Sequence, residues 1–177
     1  MSRFVALLRG INVGRAKRVP MADLRDILAT LGYTEVQTLL NSGNAIFASA
    51  ARSPLIHAAQ IREAVHKRLN IDVPVIVKTA TELVAACDEN NLLDIATDPS
   101  RLLVAVTQDH ESLKLLKTLA PLAVPPERFH LGAHAAFLWC PDGILESKAA
   151  NALVGKFKTE VTTRNWATMM KIVAALR

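Results

Sequence analysis

Short apolar runs of strand length and longer segments of helical period follow one another in the same order twice along this chain. The first run, "RFVALL" at residues 3–8, carries an aromatic and a β-branched residue, is too short for a buried helix, and ends before Gly10. Met21, Leu24, Ile27, Leu28 and Leu31 then recur at helical spacing, with Pro20 suited to a first turn and Gly32 to a left-handed stop. "EVQTLLNSGNAIFAS" reads as two strands around "NSGN", where Gly43 supplies the positive φ of a tight turn. Ser53-Pro54 reads as N-cap and first residue of a helix with Leu55, Ala58, Ile61, Val65 and Leu69 inside, and "VPVIVKT" as a fourth strand.

The second half nearly repeats this order. "LLVAVTQ" reads as a strand, Leu113, Leu116 and Leu119 mark a helix, and "ERFHLGA" with "HAAFLWC" forms a hairpin. Ala150, Leu153, Val154 and Phe157 mark the next helix, "EVTTR" a short strand, and Trp166, Met169, Met170, Val173 and Leu176 a terminal helix. Strand, helix, strand, strand, helix, strand is the split βαβ order, so the expectation is an α+β protein of two tandem ferredoxin-like units, or alpha-beta plaits. Each would hold an antiparallel sheet with helices on one face. Between the halves a helix with Leu83, Ala86 and Cys87 inside leads to the polar "DENN" and "ATDPS". The domains are therefore expected over residues 1–90 and 91–177, the second with its terminal helix.

Charge and composition narrow the function. The chain of 177 residues is 51% hydrophobic, yet charges interrupt every apolar stretch before the roughly 18 residues a bilayer requires. "MSRFVALLRGIN" has a short apolar core and no small-residue cleavage site, so it reads as a strand and not a signal peptide, and the expected setting is cytoplasmic, away from membranes. Cys87 and Cys140 have no C-x-x-C spacing and read as buried free thiols. His130 and His134 fall on a hairpin without a third ligand, so neither a metal site nor a cofactor is expected. The net charge of +5 is unevenly placed: residues 1–22 carry +5, residues 147–177 carry +5, and the middle carries −5. Such asymmetry points to an anionic partner, or to solvated charge spread over several faces.

Three segments carry the candidate chemistry. In "RGINVGRAKR", Gly10 and Gly14 sit among Arg9, Arg15, Lys17 and Arg18 ahead of a helix start. Glycine-rich loops hold phosphate because their N–H groups converge where no side chain intrudes, and a helix start adds partial positive charge. The loop fits neither the Walker A nor the G-x-G-x-x-G pattern, and the alternative is that the glycines only shape a connection that Asn12 fastens. In "NSGN", Asn41, Ser42 and Asn44 are either hairpin-turn chemistry or hydrogen-bonding ligand contacts; Ser42 lacks the surroundings of a nucleophile. In "TTRNWATMMK", Asn165 or Thr163 can cap the last helix, while Arg164 beside that helix start either points away or joins it in binding an anion. Lys148, next to Ser147, stands in the same position at the preceding helix.

"LLRGINVG" at 7–14, "NSGNAIF" at 41–47 and "TTRNWATMMK" at 162–171, with "VPMADLRDILATLGY" and "ESKAANAL" in their places, together resemble the bacterial family catalogued as domain of unknown function 1697. The resemblance spans essentially the whole chain and implies two tandem ferredoxin-like domains; it brings no established activity. Where that family tends to have a second glycine after Gly14, this chain has Arg15. The leading expectation is a binder of an anionic small molecule or a nucleic-acid backbone, with Arg9 and Arg164 clamping, Lys148 adding charge, and Asn12, Ser42, Asn44 and Asn165 orienting. The alternatives are an enzyme acting on such a ligand, though no carboxylate pair or activated nucleophile stands out, and a structural or protein-interaction role in which the motifs brace the fold.

Overall fold

In the computed structural model, which describes residues 1–157 and 161–177, the first strand becomes the interior of a sheet. β1 (Ser2–Leu8) pairs antiparallel with β3 (Asn44–Ser49) on one side and β4 (Val75–Thr79) on the other, and β2 (Thr34–Leu39) adds to β3, giving the order β2-β3-β1-β4. The register of β2 shifts between Thr34 and Gln37, where Glu35 takes φ 51°. Such a bulge on an edge strand bends it away from further pairing. Helices α1 (Met21–Thr30) and α2 (Pro54–Leu69) follow β1 and β3. As expected, Ser53 caps α2 through the Ile56 N–H and Pro54 opens it, while Asn70 ends it in the left-handed region at φ 55°. Leu55, expected inside, is exposed with Ile56 on the first turn of α2; the inward face begins at His57 and Ala58.

The second sheet repeats the first. β5 (Leu102–Thr107) lies between β7 (Ala136–Trp139) and β8 (Val161–Asn165), and β6 (Arg128–Leu131) adds to β7, for the order β6-β7-β5-β8. The strand expected at "EVTTR" is found over Val161–Asn165; Glu160 lies outside the described residues. The helix marked by Leu113, Leu116 and Leu119 is α-helical only over α4 (His110–Leu115) and tightens to a 3-10 turn over Leu116–Leu122, which contains Pro121. A proline lacks the N–H that an α-helix would use there, yet all three leucines stay buried. α5 (Lys148–Lys156) and α6 (Trp166–Leu176) begin at Ser147 and Asn165, whose side chains accept the Ala150 and Thr168 N–H groups. Val154 on α5 faces solvent. α3 (Ala80–Asp88) runs directly out of β4, as α6 does out of β8. The chain divides into two similar compact units, Met1–Thr81 and Glu82–Ala175.

The core explains why the strands read as continuous apolar runs and not as alternating ones. In the first unit Phe4, Ala6 and Leu8 of β1 join Ala45, Phe47, Val75 and Val77 in one cluster with Leu24, Ile27, Leu28, Ala58, Ile61 and Val65 of the helices. The opposite-facing Val5, Leu7, Ile46 and Ile76 are just as deeply buried. A strand hidden on both faces has no reason to alternate. His57 enters this core polar: Tyr33 Oη lies 2.8 Å from its Nδ1, and its Nε2 lies 3.2 Å from the Ala51 carbonyl oxygen, amid Phe4, Tyr33 and Phe47. Burial raises the Tyr33 pKa. In the second unit Ala105, Leu113, Leu116, Leu119, Ala136, Leu153 and Val161 form one cluster, and Leu103, Leu138, Cys140, Ala149 and Ala150 another.

The β2–β3 turn is held against β1 by a glycine that nothing else can replace. Gly43 takes φ 82°, its carbonyl accepts the Leu8 N–H at 2.8 Å, and a Cβ there would sit 2.6 Å from Ile11 Cδ1 and 2.8 Å from Leu8 Cβ. Gly10 also has positive φ, 64°, but open space around it. Gly43→Ala is therefore expected to cost about 2–4 kcal/mol in urea unfolding, from overpacking added to backbone strain. Gly10→Ala should cost only about 1–2 kcal/mol, from strain alone.

Candidate functional site

Two of the three candidate segments meet at one end of the first sheet. Because β1 ends where β3 and β4 begin, the loop 9–20, the turn 40–43 and the chain entering β4 share that end, and the Arg9 N–H donates to the Pro74 carbonyl at 2.9 Å. Asn12 draws the loop together. Its Nδ2 donates to the Val19 carbonyl at 2.9 Å and across to the Asn41 carbonyl at 2.7 Å, its Oδ1 accepts the Val19 N–H at 2.9 Å, and its own N–H donates to the Lys17 carbonyl at 3.1 Å. Asn12 does this at φ 56°, a region asparagine tolerates better than most residues. Ile11 and Val19 are buried beneath it, while residues 13–18 stand in solvent. Gly14 and Lys17 also have positive φ; Arg15 does not.

The sequence-predicted residues take distinct places here. Arg9 is partly exposed at the end of β1, and Ser42 is exposed at the turn. Asn44 is buried and donates through Nδ2 to the Leu39 carbonyl at 2.8 Å and to Ser42 Oγ at 2.9 Å. Both amide hydrogens of Asn12 and of Asn44 are thus spent on the protein itself, so these side chains shape the site and do not reach out of it. Beside them lies a depression of about 260 Å³ lined by Asn12, Arg18, Val19, Pro20 and Asn41. It borders the start of α1, where Pro20 offers no side-chain cap to the first N–H groups. Asp23, the acid in that first turn, lies 3.7 Å from Arg68 Nη2. Arg18 and Asn41 stand in the candidate segments but outside the set of residues expected to hold the ligand; the available signal for Arg18 was a helix start preceded by Arg-Val-Pro with no Ser, Thr, Asp or Asn at the cap.

Lys148, Arg164 and Asn165 belong to the second unit and lie at the end of its sheet where β7 and β8 finish. Lys148 is exposed as the first residue of α5. Asn165 accepts the Thr168 N–H at 2.9 Å and so caps α6. Arg164 is buried and turns back along its own strand, donating from Nη1 to Thr162 Oγ1 at 3.0 Å and to the Thr163 carbonyl at 2.8 Å. Burial pushes its pKa down to about 10, which still leaves a cation at neutral pH.

The second unit holds a further cluster that no spacing in the sequence suggested. Glu89, just after α3, receives the His134 N–H at 3.0 Å on Oε2, His134 Nδ1 on Oε1, and a further bond from the Ala135 N–H at the β6–β7 turn. A Cβ at Gly132 would overlap Glu89 Oε2. Desolvation opposes ionisation of Glu89, but the bonds from His134 outweigh it and hold the carboxyl below its ordinary value. Among the described residues no group of three or more His, Cys, Asp or Glu side chains is arranged to hold a metal ion, and His134 faces this carboxylate. Cys87 and Cys140 are free and buried, pushed up to about 12 and about 11, so both stay as thiols. No helix of the described residues is long and apolar enough to cross a membrane.

Two outcomes test this geometry. Asn12→Ala should lower stability by about 2–3 kcal/mol in urea unfolding, since it leaves the Val19 and Asn41 backbone groups without their partner. Glu89 has a folded pKa below that of an unfolded glutamate, so its contribution is complete above the ordinary carboxylate range and fades as pH falls through its own lower value. Glu89→Gln should therefore cost about 1 kcal/mol at neutral pH, after discounting for partial exposure, and the difference from the wild type should vanish in strong acid.

In fold the chain is similar to conserved bacterial protein SP0830 from Streptococcus pneumoniae, with a TM-score of 0.81 and 22% identity over 99% of each chain. No curated protein sequence matches it. The sequence pattern described as "Protein of unknown function (DUF1697)" matches residues 1–137, and with most of its length so matched the chain belongs to that family.

Proposed function

We propose that the first unit binds a phosphate-bearing or otherwise anionic ligand, a nucleotide-like molecule or a nucleic-acid backbone, where the loop 9–20 meets the turn 40–43. The observation that carries this is the Asn12 bridge, which sets Arg18 and Asn41 around one depression at the start of a helix with no side-chain cap. A planar guanidinium and convergent N–H groups suit phosphate or carboxylate oxygens. Arg9, Arg15 and Lys17 add positive charge along the same loop, and no acid interrupts residues 1–22. Lys148, Arg164 and Asn165 form the basic locus of the second unit, where two helix starts share one end of a sheet.

The strand orders β2-β3-β1-β4 and β6-β7-β5-β8, each with a helix after its first and third strands, support a ferredoxin-like reading of both units. Buried Phe4, Phe47 and Phe137 argue against base stacking on a sheet face, so a nucleic acid would be held by its backbone. Free Cys87 and Cys140 favour a reducing, cytoplasmic setting. A second reading, in which the motifs only brace the fold, is favoured by Asn12, Asn44 and Asn165, whose side chains all serve the protein's own backbone.

A thermal-shift screen followed by calorimetry separates the two, using pyrophosphate, a nucleoside triphosphate and a short oligonucleotide at low and physiological salt. A ligand at 100 times its Kd adds about 2.7 kcal/mol of stability. Exposed Arg18 should fold normally as alanine, and Arg18→Ala is expected to weaken binding about ten-fold or more, the loss of one charge-assisted contact. Absence of binding by the wild type, or equal binding by Arg18→Ala, overturns the proposal.

A further inference from the structure

We propose that His134 is a nucleophilic histidine whose Nε2 accepts a phosphoryl group from a small acyl phosphate, with Glu89 as its positioning residue. The site lies in the second unit and stands apart from the anion-binding reading of the first.

The proton count at the pair assigns the reactive atom. An ionised carboxylate only accepts, and Glu89 accepts from both the main-chain N–H and Nδ1 of His134, as well as from the Ala135 N–H. The Nδ1 atom therefore carries the hydrogen, and in the neutral ring the lone pair is on Nε2. Holding the main chain and the ring through one carboxylate fixes the side chain at two points and turns Nε2 away from Glu89. The imidazole is about half exposed, 48%, while the carboxylate behind it is only 22% exposed. A carboxylate that fixes the tautomer of a histidine and leaves its other nitrogen outward is the arrangement that orients imidazoles for attack or ligation. Gly132 makes room for it, since any Cβ there would collide with Glu89 Oε2.

Other histidines lack this combination. His57 is buried with both ring nitrogens engaged, and His130 stacks on Phe137 at a centroid distance of 5.9 Å. His66 and His110 are exposed on α2 and α4 and serve as internal comparisons.

In the proposed step the Nε2 lone pair forms a bond to phosphorus while the P–O bond to the acyl carboxylate breaks, and the carboxylate leaves with that electron pair. Nδ1 keeps its proton, and the positive charge gained by the ring lies against ionised Glu89. The phosphoryl donor is the only co-reactant. A half-exposed ring admits a small donor without a deep pocket. An acyl group on imidazole is quickly lost to water, whereas a phosphoryl group on Nε2 persists at neutral pH, so phosphoryl transfer is the outcome such an open site can retain.

The whole protein incubated with acetyl phosphate at neutral pH, then analysed by intact mass, peptide mapping and phosphorus NMR, tests this. The wild type should gain one phosphoryl group on His134 Nε2, faster than any label on His66 or His110. His134→Gln should lose that label, and Glu89→Gln should slow it about ten-fold while its circular dichroism stays native. Nitrogen NMR should show the Nδ1–H form of His134 in the wild type and its loss in Glu89→Gln; a positioning role predicts that the labelling rate falls with it, whereas a purely structural tie would change the tautomer and leave the rate as it is. A wild type that takes no label, takes it equally on His66 or His110, is acetylated instead, or is labelled at the same rate in Glu89→Gln overturns the proposal.

Discussion

The central strands of each sheet are withdrawn from water on both faces, and the chemistry of the chain is arranged around that constraint. Val5, Leu7, Ile46 and Ile76 are as deeply buried as Phe4, Ala6, Leu8 and Phe47 on the opposite face, and Val104, Val106 and Phe137 are as deeply buried as Ala105 and Ala136. With the central strands covered on both faces, polar groups that can meet a ligand are concentrated at the sheet ends. The candidate loop 9–20, the turn 40–43, the Glu89–His134 pair and the two helix starts beside Lys148 and Arg164 all lie at such ends. Arg164 marks the limit of that rule: a cation on a buried strand position, it is accommodated by donating to Thr162 and Thr163 of its own strand.

The two units solve the same problem differently at corresponding hairpins. In the first, the β2–β3 turn is tied to the loop after β1 by an asparagine, and the surrounding charge is cationic. In the second, the β6–β7 turn already holds an anion, the Glu89 carboxylate, with main-chain N–H groups and an imidazole. A hairpin turn at this position thus has N–H groups that can serve a negative charge, which is the physical basis for expecting an external anion where the chain supplies no acid of its own.

Much of the fold was legible because its signals are local. Ser53-Pro54, Ser147 and Asn165 mark helix starts by competing for main-chain N–H groups within three or four residues: Ser53 caps as expected, Asn165 and not Thr163 caps α6, and Ser147 caps α5, a role not read from the sequence. Gly43 announces a turn, and the clustered leucines of α4 announce a buried face even where Pro121 tightens the helix. The errors are also local in kind: Leu55 and Val154 fit a helical period but fall just outside the buried arc, because period alone does not say where the neighbouring sheet stops.

The site was legible only in part. That Asn12 could fasten a loop follows from its type, but that it reaches Asn41, 29 residues away, depends on β1 and β3 being neighbours. Glu89 and His134 are 45 residues apart and carried no pattern. By itself the sequence determined the order of the elements, their caps and turns, and the uneven distribution of charge, since each depends on residues within a few positions of one another. Tertiary structure alone decided which polar side chains are spent on the backbone, which stay exposed, and which carboxylate meets which imidazole, because hydrogen bonds between distant residues exist only once strand pairing has brought their elements within three ångströms or so of each other.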